Sequence, residues 1–226
     1  MRAWIIGNGP SLRQTPLALL TNENTFGVNA IHLAYEWTDW RPKSLVWTDY
    51  AGYTNGTEII EAQAKQADNG IRCFFRYDYA FNIEPARKSP YPFVHYIKTC
   101  FEHVHCDVNS PRRPEAWHFP QVCRYGGSVA VAMQLAVLEG YNPIILLGCD
   151  LGYREPRPGE PDPNHFHPDY HSHTDFTWES RDPTLIHAHQ QAKRYCDEHG
   201  IVVLNATLGG LLEVYPRISL EKALCL

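Results

Sequence analysis

Short apolar runs alternate with longer segments of helical period along this chain. Ala3–Ile6, Thr25–Asn29, Ser44–Thr48, Ile71–Arg76, Pro143–Gly148 and Ile201–Asn205 are too brief for helices and are bounded by turn residues, so they read as buried strands. Thr57–Asp68, Ser128–Glu139 and Pro183–His199 read as helices. In the second of these, Val129, Ala132, Met133, Ala136 and Val137 recur at three- and four-residue steps and predict one buried stripe. Ser128 is its expected N-cap, and Gly140 closes it. Strands alternating with helices predict an α/β fold: an open, mostly parallel, Rossmann-like sheet with helices on both faces. The alternation fails over 77–123, rich in aromatics, Pro and His, and over 152–182, rich in Pro, Asp and His. Residues 1–226 thus read as a single α/β domain with two irregular insertions, the second a His/Pro-rich lid.

The first predicted strand runs into Gly7-Asn8-Gly9-Pro10-Ser11. Gly7 and Gly9 permit positive φ and leave no Cβ between backbone and ligand. Pro10 presets φ for a helix start, and Ser11 adds a hydroxyl beside free N–H groups. Strand, glycine turn and helix start together predict a nucleotide or phosphate pocket. A P-loop is excluded, because no Lys-Ser/Thr pair follows the second glycine. The dinucleotide fingerprint is also broken: Leu12 stands where it needs a third glycine, and the second strand ends on Asn29 instead of an acid.

Further polar groups fall at predicted strand ends. Asp49 follows Leu45–Thr48, Asp150 follows Leu147-Gly148-Cys149, and Gly126-Gly127-Ser128 is a second glycine turn opening a helix. In open α/β sheets ligands bind beyond the carboxyl ends of the strands. The segment Asn164-His165-Phe166-His167-Pro168-Asp169-Tyr170-His171-Ser172-His173 admits three readings. A histidine is a general base; or His165, His167 and Asp169 bind a metal; or the segment is a polar surface loop.

Composition narrows the partners. A formal net charge of −5 argues against a broad nucleic-acid surface. No apolar run reaches membrane-spanning length, and the N-terminus enters a strand without a signal-peptide pattern. Seven cysteines with no C-x-x-C pair predict a cytoplasmic protein without a disulfide framework.

Taken together, Ile5 to Leu12, Val28-Asn29, Gly127-Ser128, Gly140-Tyr141 with Leu147 to Asp150, Asn164 to His167 and Asn205 to Glu213 resemble the 6-hydroxymethylpterin diphosphokinase MptE-like family. The layout is similar to the bacterial sialyltransferases of glycosyltransferase family forty-two. The latter resemblance implies a CMP-activated sugar donor held by Asn8, Gly9, Asn29, Gly127 and Ser128, with Gly7, Pro10, Ser11 and Asp49 beside them. It implies a tyrosine such as Tyr153 or Tyr170 on the departing phosphate and His165 or His171 as general base, with Asp150 the next candidate. No cofactor is then required, and the partners are a nucleotide-sugar and a small-molecule or glycan acceptor; a homo-oligomer is compatible with this. Three departures stand out: Gly127 replaces a Thr, Tyr153 is shifted by one residue, and 77–123 has no counterpart. The former resemblance implies ATP-dependent diphosphate transfer to a hydroxymethylpterin, with Mg²⁺ near Asp49, Asp150 and Asp169. A non-catalytic nucleotide-binding domain is the third reading.

Overall fold

The computed structural model describes residues 1–48, 70–76, 93–97, 117, 122–123, 125–170 and 182–226. Seven parallel strands form one sheet among them: β1 (Ala3–Ile6), β2 (Thr25–Val28), β3 (Ser44–Trp47), β4 (Arg72–Arg76), β5 (Val94–Ile97), β6 (Ile144–Leu147) and β7 (Val203–Asn205). Their order is β5-β4-β3-β2-β1-β6-β7. β1 lies inside the sheet, with Ile5 level with Phe26 of β2 and with Leu146 of β6. The chain moves outward from β1 through β2 to β5, then returns to the other side of β1 as β6. The topological switch point therefore lies between β1 and β6.

Six strands fall where the apolar runs predict them. The seventh, β5, lies inside the stretch expected to be irregular. Val94-His95-Tyr96-Ile97 follows two prolines and, among the described residues, pairs only with β4. A half-exposed edge strand needs little apolar contrast, so its pattern is weak. The predicted helix Thr57–Asp68 lies outside the described residues.

The strands are buried on both faces, and alternate residues enter two cores. Ala3, Ile5, Val28, Val46, Ile144 and Leu146 pack beneath helices α1 (Gly127–Leu138) and α2 (Asp182–Glu198). Trp4, Ile6, Leu45, Trp47, Ile145 and Leu147 face the other way. That second face is covered by three 3₁₀ helices (Pro10–Gln14, Leu17–Leu20 and Ile31–Glu36), by Phe166, and by the short helix α3 (Leu220–Leu224). The helix start expected at Pro10 is thus a five-residue 3₁₀ turn.

α1 differs from its prediction in two respects. It is apolar and buried on nearly every side, because β1 to β3, α2 and Cys123 enclose it. Its one interior polar side chain, Gln134, accepts from Cys123 N–H at 2.8 Å and donates to Cys123 C=O at 2.6 Å. It also starts one residue early. Gly126, in the left-handed region at φ 91°, is its N-cap, and a Cβ there would lie 2.5 Å from Ala188 Cβ of α2.

The five described cysteines carry free thiols, and all but Cys225 are buried. In α2, His189 is buried against Tyr215, whose hydroxyl donates to the His189 carbonyl at 3.0 Å. The Tyr215 oxygen is left to accept from His189 Nδ1 at 3.1 Å. Burial lowers the pKa of His189 from 6.5 to about 4. On acidification the unfolded chain takes this proton near pH 6.5, and the native chain resists it until about pH 4. Stability is therefore complete above pH 6.5 and is lost as pH falls toward 4. The share due to this residue is on the order of 3 kcal/mol. Urea unfolding at neutral pH and near pH 4.5 is expected to show that slope, and His189→Asn to flatten it.

Candidate functional site

All seven strands point their carboxyl ends to one edge, and most of the candidate residues gather there. The first loop is not the anion cradle its glycines suggest. Gly7 N–H donates to Leu147 C=O and Gly9 N–H to Gly148 C=O, each at 2.8 Å, so the pairing of β1 with β6 continues beyond the strands. Ser11 donates from its backbone N–H to Asp150 Oδ1 at 3.0 Å and from its hydroxyl to Asp150 Oδ2 at 2.8 Å. The donors expected to meet phosphate are occupied by the protein's own carboxylate. Gly9 is extended at φ −67°, and a Cβ on it would lie 1.9 Å from Asp150 Oδ2. Gly9 is therefore required by the approach of Asp150, not by positive φ. Pro10 opens the 3₁₀ turn and is exposed.

Asp150 is nearly buried, at 9% exposure. Burial pushes its carboxyl above the usual range, and the two Ser11 hydrogen bonds pull it back. Both oxygens serve the loop, which makes it an anchor and not a candidate base. Asp169 is exposed on the 151–170 segment, and Asp49 lies outside the described residues. The acids that a Mg²⁺-nucleotide site would need are not assembled among the described residues.

Asn8 is the loop residue that faces inward, at 7% exposure. Its Nδ2 donates to Val28 C=O at 2.8 Å and to the Tyr170 hydroxyl at 2.7 Å. Its Oδ1 is buried without a hydrogen-bond partner among the described residues. Beside it, Asn29 ends β2 in the left-handed region at φ 45°. Ser128 is not the helix cap; its hydroxyl donates across to Asn29 Oδ1 at 2.6 Å. Thr48 at the end of β3 donates to Ser128 Oγ from its N–H at 3.0 Å and from its hydroxyl at 2.8 Å. Three elements are thereby tied at the start of α1. Among the described residues no side chain caps that helix, no acid stands in its first turn, and nothing lies within 4 Å of the position a Gly127 Cβ would take. Its N–H groups and the positive end of its dipole remain directed at the site.

The 151–170 segment closes over these residues. Asp182, at the start of α2, accepts from Gly152 N–H at 3.2 Å and Tyr153 N–H at 3.0 Å. Phe166 N–H donates to Asn8 C=O at 3.0 Å. His165 Nδ1 lies 2.9 Å from Asp162 Oδ2. The His165 ring stacks on Tyr170 at 3.8 Å with a 3° interplanar angle, and the Tyr153 ring meets its edge at 6.0 Å. His167 turns away to Glu36, with Nε2 3.1 Å from Oε2, and stacks on Trp37. His167 Nδ1 accepts from Asp169 N–H at 3.2 Å. The ligand set His165, His167 and Asp169 is therefore not formed: the two rings serve different partners. Among the described residues, no three His, Cys, Asp or Glu side chains are placed to share a metal ion. His171 lies outside the described residues.

Sequence reasoning missed Thr48 and Asp162. Thr48 carries no signal, because its role depends on a helix far along the chain. Asp162 had one: Asp-x-x-His within a turn-rich segment, a spacing at which a carboxylate reaches back to an imidazole. Two surface cavities lie elsewhere. One of about 480 Å³ is lined by Ile186, Gln190, Leu211 and Val214, and one of about 230 Å³ by Phe26, Lys43, Arg72 and Tyr141. Neither is bordered by a residue of the strand-end cluster.

The fold is an open, parallel α/β sheet, and known structures share it. The chain is similar to the sialyltransferase CstII from Campylobacter jejuni in complex with cytidine-5'-monophosphate, with a TM-score of 0.51 and 14% identity over 95% of this chain and 83% of that one. It is likewise similar to sialyltransferase CST-II in complex with a trisaccharide acceptor and CMP, with a TM-score of 0.52 and 14% identity over 97% of this chain and 86% of that one. No protein-family model matches the chain, so the pterin diphosphokinase resemblance is unsupported. No curated protein sequence matches it either. At this identity the likeness establishes the fold. Among the described residues no helix is long and apolar enough to cross a membrane.

Gly9→Ala is expected to destabilise the protein by about 1–3 kcal/mol through overpacking against Asp150. Thermal melting measures this, and an unchanged midpoint would mean that the loop is not held against that carboxylate.

Proposed function

We propose that this protein is a nucleotide-dependent transferase that moves a sugar from a CMP-activated donor to a hydroxyl of a small-molecule or glycan acceptor. The observation that carries the reading is the direct link between a candidate base and a candidate donor pocket. Tyr170 stacks on His165 and accepts a hydrogen bond from Asn8. A buried acceptor without a partner is costly, and Asn8 Oδ1 is one. A phosphate at neutral pH has no proton to give it. A ribose hydroxyl or the exocyclic amine of cytosine does. The donor's phosphate suits the start of α1 at Gly127 and Ser128, which no described side chain caps and where N–H groups and the helix dipole favour an anion. The shared fold with CMP-bound sialyltransferases supports the same donor class.

The reaction is a direct displacement. The acceptor oxygen forms a bond to the anomeric carbon and gives its proton to His165. The bond from that carbon to the phosphate oxygen breaks, and its electron pair leaves with CMP. Tyr153, edge-on to His165, is assigned to donate to the departing phosphate. No metal is needed in this scheme, so turnover is expected to survive EDTA.

CMP at 100 times its Kd is expected to stabilise the protein by about 2.7 kcal/mol, read as a thermal shift. His165→Ala is expected to lower hydrolysis of CMP-sialic acid by about 10²- to 10⁴-fold. Its effect on CMP affinity is expected to be small. Stabilisation by ATP with Mg²⁺ but not by CMP would overturn the donor. Wild-type turnover in His165→Ala would overturn the base.

A further inference from the structure

We infer that Asp162 is the positioning residue for His165, holding the imidazole with its proton on Nδ1 so that Nε2 is the basic nitrogen. This rests on the reading of His165 as the base.

A carboxylate only accepts, so the 2.9 Å contact between His165 Nδ1 and Asp162 Oδ2 places the proton on Nδ1. The pair is shielded, with side-chain exposures of 11% for His165 and 8% for Asp162, and a charge-assisted hydrogen bond is strongest in such surroundings. Asp162 is itself fixed. Its Oδ1 accepts from Asn164 N–H at 2.8 Å, and its own N–H donates to Pro168 C=O at 3.3 Å. Asn164 in turn exchanges two hydrogen bonds with the backbone of Arg154: Nδ2 to C=O at 2.8 Å, and Oδ1 from N–H at 2.9 Å. Asp162 holds the ring in its plane, and Tyr170 holds its face at 3.8 Å. When His165 takes the acceptor proton, the imidazolium formed is paired with a carboxylate already in contact, so little has to reorganise in the step.

Asp162→Asn separates this role from a structural one. The amide oxygen can still accept from Asn164 N–H, which leaves its NH₂ directed at His165 Nδ1. Nδ1 must then accept, the proton moves to Nε2, and the base is lost. Turnover of CMP-sialic acid should fall by on the order of 10²-fold or more at nearly unchanged KM for the donor. Asp162→Glu should recover part of it. Histidine ¹⁵N spectra, with the His165 signal assigned by its loss in His165→Gln, should show Nδ1–H in the wild type and Nε2–H in Asp162→Asn. That readout needs no turnover. If His165→Ala is inactive while Asp162→Asn keeps wild-type turnover or the wild-type tautomer, the inference is wrong and the base survives. If His165→Ala is fully active, the base and the inference fall together.

Discussion

The contact between Asp150 and Ser11 sets the geometry on which the rest of this site depends. A carboxylate leaves the end of β6, crosses the switch point and caps the 3₁₀ turn that follows β1. Hydrogen bonds to a charged group contribute about 1.5–3 kcal/mol each. Here they also offset the desolvation of a nearly buried acid. Gly7 and Gly9 exist because backbone and carboxylate pass at distances that admit no Cβ. The crevice between β1 and β6, where a ligand commonly binds in such sheets, is thereby closed by the protein itself.

Beside the closed crevice, the polar residues Asn8, Asn29, Thr48 and Ser128 gather at the ends of β1 to β3 and the start of α1. The loop holds one buried acceptor, Asn8 Oδ1, without a partner among the described residues. Donors come instead from α1, whose entry is held by Asn29, Ser128 and Thr48. The 151–170 segment joins this cluster through Tyr170, which stacks on His165 and accepts from Asn8.

Much of the architecture is legible in the chain because it follows from local rules. Six of the seven strands announce themselves as short apolar runs, since a parallel strand buried on both faces can hold little else. The helical period of α2 is plain, while α1, apolar all round, shows no stripe; Asn8, Asn29, Ser128 and His165 stand out as polar residues beside strand ends or in an aromatic loop. Edge strand β5, with one neighbour and partial exposure, follows those rules weakly and is lost among prolines.

What the sequence by itself determined is the order of strands and helices, and the polar residues that would come to one edge of the sheet. Partners across that edge were decided by tertiary structure alone. Glycine-rich turns look the same whether they face a phosphate or a carboxylate of their own chain. Only the register of β1 against β6 brings Asp150, far along the chain, onto Ser11. Likewise a run of histidines does not say which rings converge. His165 and His167 are two residues apart, but one is held by Asp162 and Tyr170 and the other by Glu36 and Trp37. Composition and spacing constrain the neighbours a residue has along the chain; hydrogen bonds and stacking depend on distances that exist only once distant segments have packed.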